Sequence, residues 1–228
     1  MFETRVKDFY TATVRNEWRR LVQDAYHGLE LHTTLHFLEK HLPSQGHILD
    51  AGCGPGRYSV ELAQRGYQMT LLDMTPVNLE FARRQIRRRK LQANVKEFIE
   101  ASIVDLSHFP DESFDAVICL GGPLSHLLDI DQRSKAISEL LRVARHDAPV
   151  FVSVMGRLSL LTLEMVMFPY EIEMSHFTQI RDSGDYEGSS GFTACHFFLP
   201  EEFRVAFELP GVEILDLVGL EGISTTHY

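Results

Sequence analysis

Short apolar runs alternate with amphipathic stretches along most of the chain. Residues 1–45 read as helical, with Leu35, Leu38 and Leu42 at helical spacing, and Pro43 to Gly46 then break the pattern. "HILDA" (47–51) is a continuous apolar run of the kind that fills a buried parallel strand. The signal returns in "YQMTLLD" (67–73), "VKEFIE" (95–100), "FDAVICL" (114–120) and "PVFVSVM" (149–155). Helical signals separate these runs. One helix is predicted to start near Arg57 and to stop at Gly66, a residue suited to the position after a helix end. Thr75 and Pro76 mark another start, with Leu79, Ala82 and Ile86 on its apolar face, and Ile137, Leu140, Leu141 and Ala144 mark a further amphipathic helix. Strands alternating with helices predict an α/β fold, with a parallel sheet covered on both faces.

The alternation loosens after Met155. A helical or irregular piece is expected over 157–175, then short strands near 177–181 and 192–198 around the polar loop "DSGDYEGSSG". Pro200 opens a helix with Phe203, Ala206 and Phe207 on one face, and "VEILDLVGL" (212–220) reads as a sixth strand. The expected organisation is an N-terminal helical cap (1–45), a core (46–156), an insertion or lid (157–199) and a C-terminal part of the core (200–228).

The length of 228 residues with 44% hydrophobic content suffices for one buried domain, and the net charge of −10 does not describe a surface built for a polyanion. "RRQIRRRK" (83–90) carries six basic residues in eight, but it lies where a helix ends, a place that favours cations, and lacks interleaved aromatics. Nucleic acid is therefore not the expected partner. Cys53, Cys119 and Cys195 are odd in number and lack C-x-x-C spacing, which suggests free thiols in a reducing compartment and neither a disulfide framework nor a zinc site. The start "MFETRVKDFY" mixes charge signs and is not a signal peptide, and Glu164 interrupts the greasy stretch 158–168, which is short of the about 20 residues that span a bilayer. A cytoplasmic protein that does not enter a membrane is expected.

The chemistry concentrates behind the first strand, in "HILDAGCGPGRYS" (47–59). Ligands of open parallel sheets sit at the carboxyl ends of strands, and glycines there let a ligand lie against bare backbone. Dinucleotide loops space glycines G-x-G-x-x-G; here Gly52, Gly54 and Gly56 give G-x-G-x-G, and Arg57 stands where the third glycine of the longer frame would be. Asp50 precedes the loop, as a ligand contact or as an anchor for its backbone. The second strand ends in Asp73, whose carboxylate can accept ribose hydroxyls. An adenosine-type ligand without a pyrophosphate fits this pattern.

Four segments in order carry a family resemblance: "LDAGCGPGRYSVELAQRG", "TLLDMTP", "FPDESFDAVICLGGPLSHL" and "ISELLRVARHDAPVFVSV". Over residues 35–156 the chain resembles the class I S-adenosylmethionine-dependent methyltransferases, most of all those acting on small molecules. The resemblance implies a doubly wound, Rossmann-like, mostly parallel sheet and S-adenosyl-L-methionine as cofactor, with S-adenosyl-L-homocysteine as product. It places cofactor contacts at Asp50, Gly52, Gly54, Gly56, Asp73, Met74, Ser102, Ile103, Leu120 and Gly121. His126, past the fourth strand, is a candidate base, and Gly121 with Gly122 would let the chain pass close to the methionine part. Tyr10, Trp18, Arg19 or Arg20 of the first helix would cover the cofactor and acceptor, Tyr10 and Trp18 as walls and an arginine on the methionine carboxylate. His196, with Phe197 and Phe198, is a lid candidate.

The sequence departs from the family in three places. Ala101-Ser102 replaces the usual Gly-Asp at the adenine, Asp147-Ala148-Pro149 replaces Pro-Gly-Gly, and no seventh strand follows residue 220, which implies a truncated form or an unusual sheet edge. The expected activity is in-line methyl transfer to a small-molecule acceptor, which needs no metal, by a monomer or homodimer. The alternatives are a cofactor-binding protein without turnover, an RNA methyltransferase and a nicotinamide-dependent oxidoreductase. "Gly121-Gly122-Pro123-Leu124" lacks the Asn-Pro-Pro-Tyr pattern of nucleobase acceptors.

Overall fold

The computed structural model describes residues 2–188 and 191–221, with the side chain of Phe2 left aside. Two helices, α1 (Phe2–Arg20) and α2 (Ala25–His41), precede the sheet. The alternating region follows as β1 (His47–Ala51), α3 (Arg57–Gln64), β2 (Gln68–Asp73), α4 (Pro76–Arg88), β3 (Val95–Glu100), β4 (Ala116–Cys119), α5 (Ile130–Val143) and β5 (Val150–Val152). All five strands are parallel, in the order β3-β2-β1-β4-β5. The chain winds outward from β1 to β3, returns to β4 on the other side of β1, and so leaves a crevice between the ends of β1 and β4.

The central strands β1, β2 and β4 are mostly apolar because both faces are covered, whereas the edge strand β3 carries Lys96, Glu97 and Glu100 at exposed positions. Ile48, Met69, Leu71, Ala116 and Ile118 face Leu38 of α2, Leu62 of α3 and Leu79 of α4. Leu49, Ala51, Leu72, Val117 and Cys119 alternate with them and face Ala136, Ile137 and Leu140 of α5. Each fully buried leucine here contributes about 2 kcal/mol.

The insertion comprises α6 (Arg157–Met167), a 3-10 turn (Pro169–Glu173), α7 (Ser175–Ser183) and a two-stranded antiparallel ribbon of β6 (Asp185–Tyr186) and β7 (Cys195–His196), followed by α8 (Pro200–Ala206). Two sequence expectations are corrected. Residues 177–181 lie within α7, because Phe177 and Ile180 are spaced for one helical face and are both buried. The strand expected over 192–198 shortens to β7.

A third correction concerns residues 212–220. They form no strand, and among the described residues β5 is the last strand on its side of the sheet. Side-chain pairing holds this segment against α2 instead: Asp216 accepts from Lys40 Nζ at 2.9 Å and His41 Nε2 at 2.5 Å. Ile214, Leu215, Leu217 and Val218 remain exposed. The sequence expectations for 189–190 and for residues beyond 221 lie outside the described residues. Among the described residues, no helix is long and apolar enough to cross a membrane. Cys53, Cys119 and Cys195 are free thiols, all buried.

Candidate functional site

Two loops meet at the crevice. Gly52, which leaves β1 with φ +80°, packs so tightly that a Cβ there would lie 2.5 Å from Pro123 Cγ. Gly56 (φ +82°) meets Ala82 of α4, 2.8 Å from its would-be Cβ, and heads α3. Two of the three loop glycines are therefore dictated by the protein's own packing. Gly54 (φ +52°) has nothing within 4 Å of such a Cβ, and Gly121 (φ +81°) on the facing loop is equally open. These two positions offer bare backbone to a ligand.

Asp73 ends β2 beside Gly54 and is 6% exposed. Its Oδ2 accepts from Gly54 N at 2.7 Å, and its Oδ1 accepts from Thr75 N at 2.8 Å and Asn78 Nδ2 at 3.2 Å. Burial raises its carboxyl above the ordinary range, and these hydrogen bonds oppose the rise. Asn78 Oδ1, also buried, has no hydrogen-bond partner among the described residues. A buried acceptor without a donor is costly, and a sugar hydroxyl would satisfy it. The orphaned amide oxygen beside Asp73, together with the open backbone at Gly54 and Gly121, fits a ribose-bearing cofactor.

Asp50 lies one layer deeper, 2% exposed, and accepts from Ser59 Oγ at 2.5 Å. Burial pushes its carboxyl up to about 7, and the neighbouring Asp73 charge adds to the rise. Its partner lies in the first turn of α3, so it braces the glycine loop. Met74 is half-buried after Asp73, Leu120 closes the wall before Gly121, and Ile103 packs into the α5 side of the core. Ser102 turns its hydroxyl to Val104 N at 3.4 Å within its own turn.

The other end of the crevice is built from three distant segments. His126 ends the 3-10 turn Pro123–His126. Its Nδ1 lies 2.9 Å from the Ala194 carbonyl and its Nε2 lies 2.7 Å from Tyr10 Oη. A carbonyl only accepts, so Nδ1 carries the proton and Nε2 is left to accept from the Tyr10 hydroxyl. Burial lowers the His126 imidazole from its ordinary value and keeps it neutral. Burial also raises the Tyr10 phenol, so it stays protonated. Phe192 of the insertion lies over both helix and histidine, 5.1 Å from the Phe9 ring and 6.0 Å from the His126 ring. An open cleft of about 1690 Å³ takes in Tyr10, Arg20, Glu30, Leu120, Gly121 and Phe192, and extends along β5 and its flanking residues to the C-terminal segment. The hydrogen-bonding geometry, not the size of that cleft, marks the site.

Three sequence candidates lie elsewhere. Arg19 is exposed, away from the crevice. Its neighbour Arg20 turns inward, but its guanidinium is filled by Glu30 (Nη2 to Oε1, 3.1 Å) and Glu17 (3.3 Å). Trp18 does not wall the cleft. Its ring packs on Phe81 of α4, 5.8 Å between centroids, beneath the Arg57 guanidinium at 3.7 Å. His196 is buried and held by Asp185 Oδ1 and Glu202 Oε1, each at 2.6 Å, so it fastens β7 to α8 and does not line the crevice. Sequence reasoning missed Asn78, Phe192 and Ala194. Asn78 could have been found from its place in the first turn of α4, five residues after the strand-end acid. The other two carry no local signal.

A family profile described as "Methyltransferase domain" matches residues 48–147, the stretch from β1 through the helix before β5. Residues 48–147 of this chain are thus similar to a methyltransferase domain. The Asp73, Asn78 and Gly54 corner and His126 both lie within the matched stretch. The chain is 29% identical over 142 residues to a glycine/sarcosine N-methyltransferase of Parasynechococcus marenigrum, covering 60% of this chain and 48% of that protein. It is 31% identical over 116 residues to a ubiquinone biosynthesis O-methyltransferase of Xanthomonas axonopodis, covering 50% and 45%. The matches thus span under half the length of these curated relatives. A solved SAM-dependent methyltransferase from Methanosarcina mazei shares the fold of this chain, with a TM-score of 0.60 at 24% identity over 75% of this chain and 81% of that one.

Proposed function

We propose that the protein transfers a methyl group from S-adenosylmethionine to a small-molecule acceptor that loses an N–H or O–H proton to the Tyr10–His126 pair. The hydrogen bond between Tyr10 and His126 Nε2, with Nδ1 tied to Ala194, carries this reading. The bound cofactor supplies a methyl made electrophilic by its sulfonium, which leaves as a neutral thioether.

The chain's own residues position, exclude water and hold the proton. Asp73 and Asn78 fix the sugar end, and the bare backbone at Gly54 and Gly121 lets the ligand lie close, so the geometry of attack is set before reaction. Tyr10 Oη can accept the acceptor's proton while passing its own to His126 Nε2, which leaves an imidazolium held by Ala194. Phe9, Phe192 and the cap keep that end of the crevice apolar. The family relatives acting in glycine and ubiquinone methylation support a small acceptor with a dissociable proton.

The test is calorimetric titration with S-adenosylhomocysteine, with NAD as control, on the wild type and Asp73→Ala. Micromolar binding of the first ligand alone, weakened at least about tenfold by the substitution, is expected from losing a charge-assisted hydrogen bond. Absence of wild-type binding, or equal binding by the variant, overturns the cofactor placement. Acceptor screening then follows, with His126→Asn as the control for proton removal.

A further inference from the structure

We propose that Glu164, Glu171 and His176 form a binding site for a divalent transition-metal ion of the zinc or manganese type, which staples the insertion together. The three residues come from three successive elements: α6, the 3-10 turn Pro169–Glu173 and α7. Their ligand atoms all lie within 4.8 Å of one another, and Glu171 Oε2 is 2.9 Å from His176 Nε2. The site stands apart from the crevice and does not depend on the transfer reaction.

An acidic surface cluster alone would not point to a metal. Glu164 supplies the second observation. It is 9% exposed, in a helix that is otherwise largely exposed, and its buried Oε2 has no hydrogen-bond partner among the described residues. An ionised carboxylate is rarely buried without a cation or a donor. Glu171 cannot supply a donor while ionised, and its own oxygen engages His176. A divalent cation would balance the two carboxylates and accept the imidazole nitrogen.

Two carboxylates with one imidazole suit zinc or manganese better than magnesium, which prefers an all-oxygen octahedron. Three protein ligands leave a further position for water. The consequence lies along the chain. α7 ends at Ser183 and leads through Gly184 into β6, which pairs with β7, and β7 begins one residue after Ala194, the residue that orients His126. An ion across α6, the turn and α7 would therefore firm the segment that supports the histidine.

The experiment uses the whole chain, stripped of metal with a chelator and titrated with Zn²⁺ against a chromophoric competitor, then with Mn²⁺ and Mg²⁺. Wild type, Glu164→Gln, His176→Gln and the surface control His146→Ala are compared, His146 being largely exposed. One tight Zn²⁺ equivalent is expected, weakened at least about tenfold in both site variants, unchanged in the control, and far weaker for Mg²⁺. Added Zn²⁺ should raise the melting temperature of the wild type and not of Glu164→Gln. Circular dichroism and S-adenosylhomocysteine binding confirm that the variants are folded. If His176→Gln does not fold, Glu164→Gln decides alone. Binding that persists unchanged in the site variants, or absence of a stoichiometric site, overturns the proposal. So does a Glu164→Gln that is more stable than wild type and loses no metal, since that outcome marks Glu164 as a protonated acid.

Discussion

Asp73, buried at the end of β2, and His126, half-buried in the turn after β4, are held from opposite directions. The partners of Asp73 lie 2, 5 and 19 residues away, at Thr75, Asn78 and Gly54. Those of His126 lie 116 and 68 residues away, on α1 and in the insertion. The sheet and its own corners thus build the proposed cofactor end, whereas segments outside the sheet build the proposed acceptor end. A fold can therefore keep its cofactor site while the cap and insertion change what reaches the histidine.

The largest effect that would break this comparison is on transfer. Once an acceptor is found, His126→Asn should lower kcat by about 10² to 10⁴, the usual scale of general-base catalysis, while S-adenosylhomocysteine affinity stays within about threefold. A large loss of cofactor affinity would show that the two ends are one site. The acid side of the rate profile sharpens the point. In the proposed reaction the neutral ring is the active form, and burial lowers its titration, so activity should fall only below the ordinary histidine value of about 6.5. A rate that falls off above that value would contradict the burial.

The glycines separate next. Gly52→Ala should cost roughly 2–5 kcal/mol in denaturant unfolding, because its Cβ meets Pro123 at 2.5 Å on a backbone at φ +80°. Gly54→Ala has space for its Cβ and should cost about 1 kcal/mol in stability. It should nonetheless lose at least about tenfold in S-adenosylhomocysteine affinity, if open backbone is what the ligand uses. Equal ligand binding by Gly54→Ala would make the whole loop a packing device.

The last effect concerns Asp50. Its carboxyl is raised in the folded protein to about 7, so the stability tied to its protonated form is present at low pH and lost as pH rises through about 7. Asp50→Asn keeps an acceptor for Ser59 and removes that loss. The melting temperature of the variant minus that of the wild type should therefore grow between pH 5 and pH 8, by roughly 5–10 °C. A difference that shrinks over that range would mean that Asp50 is ionised in the fold.

The core was legible where apolar runs were continuous and bounded by glycine or proline, as at "HILDA" and "YQMTLLD". Elsewhere local pattern misled. Residues 212–220 look like a strand, but a strand exists only with a partner ladder, and the ion pairs of Asp216 draw this segment to α2. The choice between Arg19 and Arg20 was a matter of helical phase. Arg20 follows the inward stripe through Val6 and Thr13 at seven-residue steps, while Arg19 is turned about 100° away. Trp18 reads as an aromatic wall in sequence, yet α1 packs on α4 so that its ring meets Phe81 and Arg57 instead.

By itself the sequence determined the parallel sheet, the glycine loop after β1 and the acid at the end of β2, because each is written within about 25 residues and follows from backbone chemistry. Only the tertiary structure decided that Gly52 and Gly56 serve internal packing and that Gly54 faces open space. It alone joined Tyr10 and Ala194 to His126, since a histidine's tautomer is fixed by partners that the chain brings from 116 and 68 residues away.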